Sequence, residues 1–213
     1  MNIFFSDLNP YLCAQNLDDK RVIKMCLEST QMLCTALNHH GHNTPYKSTH
    51  ANHPSNVWAR QTKTNFLWLL DHAFYLCDEY ERRYAKTHKC LDILNDLNTK
   101  SLSCFSETPA TPFANCAANS SKGVDFKHIG DTVEAYRQYL TSRWNTDVRP
   151  PTWYKLTGVE ALSVGVAPKW LIVDKDNKLV YKDKNYEVLF GGPNETPNIN
   201  YGILGDINSL PSE

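Results

Sequence analysis

At 213 residues, with 41% apolar and 21% charged side chains, the chain can bury a core of its own and has the make-up of an ordinary soluble protein. A formal net charge of −1 excludes a strong overall field for steering polyanions, so any nucleic-acid binding must come from local clusters. No run approaches the ~18 consecutive apolar residues of a membrane span, and the opening MNIFFSDLNP lacks the basic start and long apolar stretch of a signal peptide.

The charge is uneven. Residues 1–155 carry 17 Lys and Arg against 15 Asp and Glu, with all eight histidines, whereas residues 156–213 carry 5 against 8. A slightly basic first part and an acidic tail give weak support to a nucleic-acid partner. The seven cysteines, Cys13, Cys26, Cys34, Cys77, Cys90, Cys104 and Cys116, form no CxxC pair, which argues against a zinc ribbon or a redox motif. An odd, irregular set of thiols points to a reducing intracellular compartment: the cytoplasm, or the host cytoplasm for a viral protein.

The first predicted element is an amphipathic helix over Leu17–Leu37. Ile23, Leu27, Thr30, Cys34 and Leu37 recur at three- and four-residue steps and predict its buried face. Asp18 or Asp19 caps its start, and Asn38 to Gly41 ends it. Lys20, Arg21, Lys24, Glu28 and Gln31 share the polar side. That side reads either as a solvated surface with a Lys24–Glu28 pair, or as a site where cations hold phosphates and Glu28 does acid–base work.

The loop from His39 to Pro54 holds His39, His40, His42, His50 and His53 but no recognised metal-ligand spacing, so neither metal nor other cofactor is expected. Asn52 and His53 are instead candidates to cap a helix or to hydrogen-bond a substrate. A second helix is predicted from Pro54 to about Tyr84, with Asn52 as its cap and a stripe through Trp58, Gln61, Asn65, Trp68, His72, Leu76 and Glu79. Arg82 and Arg83 close it, where cations suit the helix dipole. The alternation of bases and aromatics from Tyr80 to Lys89 fits a phosphate backbone with stacked bases, and equally an ordinary basic helix end.

A short helix at Cys90–Leu97 and a polar loop of about thirty residues follow. Asp131-Thr-Val-Glu134 resembles a capping box opening a further helix, with Val133, Tyr136 and Leu140 inward. Two prolines then hold Val148–Gly158 extended at its start, and Trp153, Tyr154 and Lys155 on it suit stacking against a base. Beyond Gly158, Trp170–Val173 and Lys178–Tyr181 flank a polar turn and predict a β-hairpin. The expected architecture is mainly α: a compact helical domain over 1–158 and an acidic C-terminal extension over 159–213 containing the hairpin.

Three segments in order carry a resemblance. Leu17-Asp-Asp-Lys-Arg21 with Lys24, Glu28 and Gln31, then Asn52-His53-Pro54 with Trp58, then Pro151-Thr-Trp-Tyr-Lys155 with Gly158 resemble motifs of the pyrimidine-dimer DNA glycosylases of the endonuclease V type and their phage and bacterial relatives. The resemblance implies a helical fold that cleaves an N-glycosidic bond in DNA. In that family an N-terminal amine attacks the sugar C1′ to form an imine, with a glutamate assisting. An α-amine ordinarily titrates near ~8 and is partly neutral at cellular pH, as a nucleophile must be.

The chain departs from the family pattern in two places. Asn2 is a poor context for removing Met1, and the turn that matches the family's glutamate holds Arg21, Val22 and Ile23, with Glu28 one or two turns later. The implied roles are therefore Glu28 as acid–base or electrostatic carboxylate and the Met1 amine or Lys24 as nucleophile, or else Glu28 activating water. Lys20, Arg21, Gln31, Asn52, His53, Trp58, Arg82, Arg83 and Lys155 would bind substrate, and Trp153 with Tyr154 would stack near an opened base pair. The expected activity is removal of a damaged or modified base from DNA, with AP-lyase scission if an amine attacks. A non-catalytic nucleic-acid binder on the same fold, or an enzyme acting on nucleotides or modified bases, are the alternatives.

Overall fold

The computed structural model describes residues 1–153, 167–176 and 178–183, which fall within one unit spanning Met1–Asp183. Its architecture is mainly α. In chain order come α1 (Pro10–Gln15), α2 (Asp19–His39), α3 (Pro54–Ala59), α4 (Lys63–Tyr84), α5 (Cys90–Asn98) and α6 (Thr132–Thr146). Two small antiparallel pairs complete it: β1 (Ala118–Asn119) with β2 (Val124–Asp125), and β3 (Leu171–Val173) with β4 (Leu179–Tyr181). Helices α2 and α4 form the central pair, with α1 against α4, α3 against α2 and α5 wedged on both.

Helix α2 lies within two residues of its predicted span, but its buried face is rotated. Val22, Met25, Cys26, Ser29, Thr30, Met32, Leu33, Cys34 and Leu37 face inward, whereas Ile23 and Leu27 are 43% and 39% exposed. The helix has neighbours on several sides, so its apolar stripe is too broad for one three–four ladder to locate. Asp18 takes the N-cap position without capping: its carboxylate accepts the Arg21 guanidinium at 2.7 Å and the Trp144 indole N–H at 2.8 Å.

The helix predicted over 54–84 is two helices. His53, not Asn52, is the N-cap of α3, its Nδ1 accepting the Ser55 N–H at 3.2 Å. Thr62 then restarts the chain, Oγ1 accepting the Asn65 N–H at 3.0 Å, while Asn65 Nδ2 closes α3 by donating to the Trp58 carbonyl at 2.9 Å. A Thr62→Ala change should cost about 1 kcal/mol through loss of this cap, read as a lowered denaturation midpoint at unchanged m-value.

Asn9 caps α1 through Tyr11 N–H and Leu12 N–H, with Pro10 in the first turn, an Asn-Pro signal that a six-residue helix hides from periodicity analysis. The Asp131 cap of α6 forms as predicted, with Tyr136 and Leu140 buried and Val133 only partly so. The long loop is anchored through Phe105 and Ala117 in the core. The predicted hairpin is present and packs on α6. Trp170 stacks on Trp144 at 5.7 Å, and the Asn145 amide exchanges two hydrogen bonds with the Leu179 backbone. No described helix is long and apolar enough to cross a membrane, and all seven cysteines are free.

His72 sits on α4 with no exposed surface, its Nδ1–H donating to the Pro10 carbonyl at 3.1 Å. Its Nε2 has no hydrogen-bond partner among the described residues. Burial pulls its pKa down to about 4. The unfolded chain therefore takes up this proton near ~6.5 and the folded one only near 4, so stability falls as pH drops through that window, by about 3 kcal/mol in all. His72→Asn, which keeps a donor for Pro10, should flatten that part of a denaturation-versus-pH curve. An unchanged slope would refute the assignment.

Candidate functional site

The site is built by threading the chain start through the core. Ile3 and Phe5 are fully buried, and Phe5 packs among Trp58, Trp68, Phe113 and Tyr136 at 4.1 to 5.8 Å. Burying two such side chains contributes roughly 1.5–3 kcal/mol each. Helix α6 clamps the segment, Arg137 bonding the Ser6 carbonyl at 2.8 Å and Asp7 at 3.0 Å. With residues 3 and 5 pinned, Met1 has little freedom. Its side chain is 3% exposed, and its Sδ accepts the Asn56 amide N–H at 3.2 Å.

This delivers the Met1 amine to Glu28. The amine nitrogen lies 3.9 Å from Oε2, which also accepts the Asn2 backbone N–H at 3.0 Å, while Lys24 Nζ reaches Oε1 at 3.0 Å. Glu28 is mostly buried but still 12% exposed, and Lys24 stands 71% in solvent. Buried Tyr136 fixes Asn2 from behind. Its hydroxyl donates to Asn2 Oδ1 at 2.6 Å and accepts the Cys116 N–H at 3.1 Å.

The His50–Pro54 turn forms the facing wall. Burial lowers the His53 pKa, helped by the charge of the chain-start amine and by His50 and opposed by Glu28, so its ring feels both groups of the pair. His53 Nδ1 accepts the Ser55 N–H, leaving the proton of the neutral ring on Nε2. His50 adopts a left-handed backbone, φ 49°, unusual for a non-glycine residue. Its carbonyl accepts the Asn56 amide at 2.9 Å and the His53 N–H at 2.8 Å. Beside the turn lies an open depression of about 380 Å³, lined in part by Asn52, Pro54, Val57 and Gln61.

The expected site residues thus divide. Glu28, Met1 and Lys24 come together and His53 feels the charges of the first two, with exposed Asn52 next to His53 in the same turn, exposed Lys20 two turns along α2 and half-buried Gln31 one turn along it. Arg21 and Arg83 do not join them. Arg21 is 5% exposed and holds Asp18 and Asp147. Arg83 is 5% exposed and holds Glu79, Asp19 and the carbonyls of Leu17 and Gln15. Arg21 stands seven residues from Glu28, roughly 10 Å along the helix. These guanidinium groups are committed to buried carboxylates and are not open to phosphate. Arg82 is half exposed but pairs with Glu79.

Trp58 is 2% exposed, with its indole N–H on the Thr111 carbonyl at 3.2 Å, and it also lines the depression beside the His50–Pro54 turn. Trp153 packs edge-on against Trp144 at 5.0 Å and donates to the Asn16 carbonyl, so it braces the buried ion-pair cluster. Tyr154 and Lys155 lie outside the described residues. Asn2, Asn56, Cys116 and Tyr136 are residues that sequence reasoning missed. Only Tyr136 left a signal, an inward hydroxyl on a helix face, since a buried phenol needs a partner.

Residues 1–92, somewhat under half of the chain, match the model of the family described as pyrimidine dimer DNA glycosylase. That stretch contains Met1, Glu28 and His53, and the first two of the three motifs. No curated protein and no solved structure matches the chain. The family that the motifs resemble is the family matched: over residues 1–92 this chain is similar to the pyrimidine dimer DNA glycosylases.

Proposed function

We propose that the protein removes a damaged or modified base from DNA and that the Met1 amine is its nucleophile. The amine, deprotonated with Glu28 as acceptor, attacks the sugar C1′. The base departs with the electron pair of the glycosidic bond and takes a proton. Opening of the sugar ring then leaves an imine between Met1 and C1′, which permits strand scission as an AP lyase. Glu28 receives and returns protons and offsets the positive charge that develops on the sugar.

The observation that carries this reading is the 3.9 Å approach of the amine to Glu28 Oε2, with the carboxylate oriented by the Asn2 N–H. Neutral His53 and the exposed Asn52 rim supply hydrogen-bonding groups for an extruded nucleotide. Lys24 is the second candidate amine, 3.0 Å from the same carboxylate but freely solvated.

Borohydride trapping on a panel of DNAs bearing damaged or modified bases tests the reading. A trapped adduct mapping to Met1, and surviving Lys24→Ala, is expected. An adduct mapping to Lys24 would move the nucleophile. Base release without trapping would assign the chemistry to Glu28-activated water, and binding without release would leave a non-catalytic binder. Activity on free nucleotides alone would replace DNA as the substrate.

A further inference from the structure

On the side of α2 turned away from Glu28, three groups with metal-binding chemistry meet. Cys26 comes from α2, Cys77 from α4, and His88 from the connection that turns back after left-handed Ala85 toward α5. The two sulfurs and a ring nitrogen of His88 all lie within 4.8 Å of one another. Both cysteines are buried and His88 is half-buried, which gives a path from solvent.

We propose that Cys26, Cys77 and His88 form a zinc site that ties the α4–α5 connection to α2. Ligand atoms of a tetrahedral zinc, at about 2.3 Å for sulfur and 2.0–2.1 Å for nitrogen, stand roughly 3.5–3.8 Å apart, so a small contraction of this cluster suffices. Two thiols and an imidazole are soft to borderline donors, which selects zinc over magnesium or calcium. A water takes the fourth position.

The histidine is set up for this role. Nδ1 accepts the Cys90 N–H at 3.2 Å, so it carries a lone pair. Binding exchanges the long Cys90 contact for a metal bond and releases the two thiol protons to solvent. Cys26 and Glu28 are two residues apart, about 200° around the helix, so the zinc site and the glycosylase site do not share groups.

The test is metal analysis of the full chain equilibrated with zinc and then passed over a weak chelator, with cobalt substitution read by thiolate-to-metal absorption. About one zinc per chain, a cobalt–thiolate band and a melting temperature raised by zinc are expected. Cys77→Ala should lower affinity at least tenfold, and His88→Gln should do so while leaving the metal-free melting temperature unchanged. Negligible zinc with an unmoved melting temperature, undiminished binding in both variants, or a Cys26–Cys77 disulfide in protein isolated under reducing conditions would overturn the site. Each of these readouts is independent of base release.

Discussion

Glu28→Gln is expected to lower single-turnover base release by about 10²–10⁴-fold, the range for losing a positioned acid–base group. Glutamine keeps the volume and an oxygen for the Asn2 N–H, so the wall of the site should stand. What disappears is the charge facing the Met1 amine at 3.9 Å and the ability to take its proton. The melting temperature should move little, because the exposed Lys24 partner contributes only a fraction of a kcal/mol. Borohydride trapping should fall in parallel with base release. A variant retaining a tenth or more of wild-type activity would remove Glu28 from the chemistry. Lys24→Ala is the matched control, expected within a few-fold of wild type.

Arg83→Met should destabilise the fold by about 3–5 kcal/mol, the cost of removing one partner from a buried ion pair. Arg83 joins Glu79 on its own helix, Asp19 at the start of α2, and the carbonyls of Leu17 and Gln15. Without it Glu79, 3% exposed, and the two carbonyls lose their shared donor. Against a typical total of 5–15 kcal/mol that is a large loss. Denaturant unfolding should show it, whereas Arg82→Ala, at a half-exposed position, should cost no more than about 1 kcal/mol. A loss under 1 kcal/mol at Arg83 would mean the network is solvated in solution.

The two arginines show why a charge motif read from sequence stays ambiguous. Arg82 and Arg83 read equally as phosphate contacts or as an ordinary basic helix end, because sequence reveals charge but not its neighbours. Asp19 and Glu79, 64 and 4 residues from Arg83, claim that guanidinium in three dimensions. Trp58 and Trp153 are ambiguous for the same reason: an aromatic ring beside polar residues fits a ligand platform and a core equally well until its contacts are known.

Local sequence was decisive where short-range physics is. The Asp131 cap, the hairpin around Asp174–Lys178 and the length of α2 follow from capping chemistry, turn residues and periodicity, all of which act within a few residues. The break between α3 and α4 also had local causes, in Thr62 and Asn65, but an unbroken apolar stripe outweighed them in the reading.

Order along the chain was enough to show the family resemblance that the match over residues 1–92 shares, and it offered Met1, Glu28 and His53 as candidates. It could not reveal that Tyr136, 134 residues away, hydrogen-bonds Asn2, or that Asn56 seats the Met1 sulfur. Nor could it gather Cys26, Cys77 and His88, since irregular spacing hides ligands drawn from separate elements. Sequence determined the length of α2, the Asp131 cap of α6 and the kind of chemistry available. Tertiary packing decided which charges are free to act, because burial and partners, both set by distant residues, govern whether an ionisable group is structural or reactive.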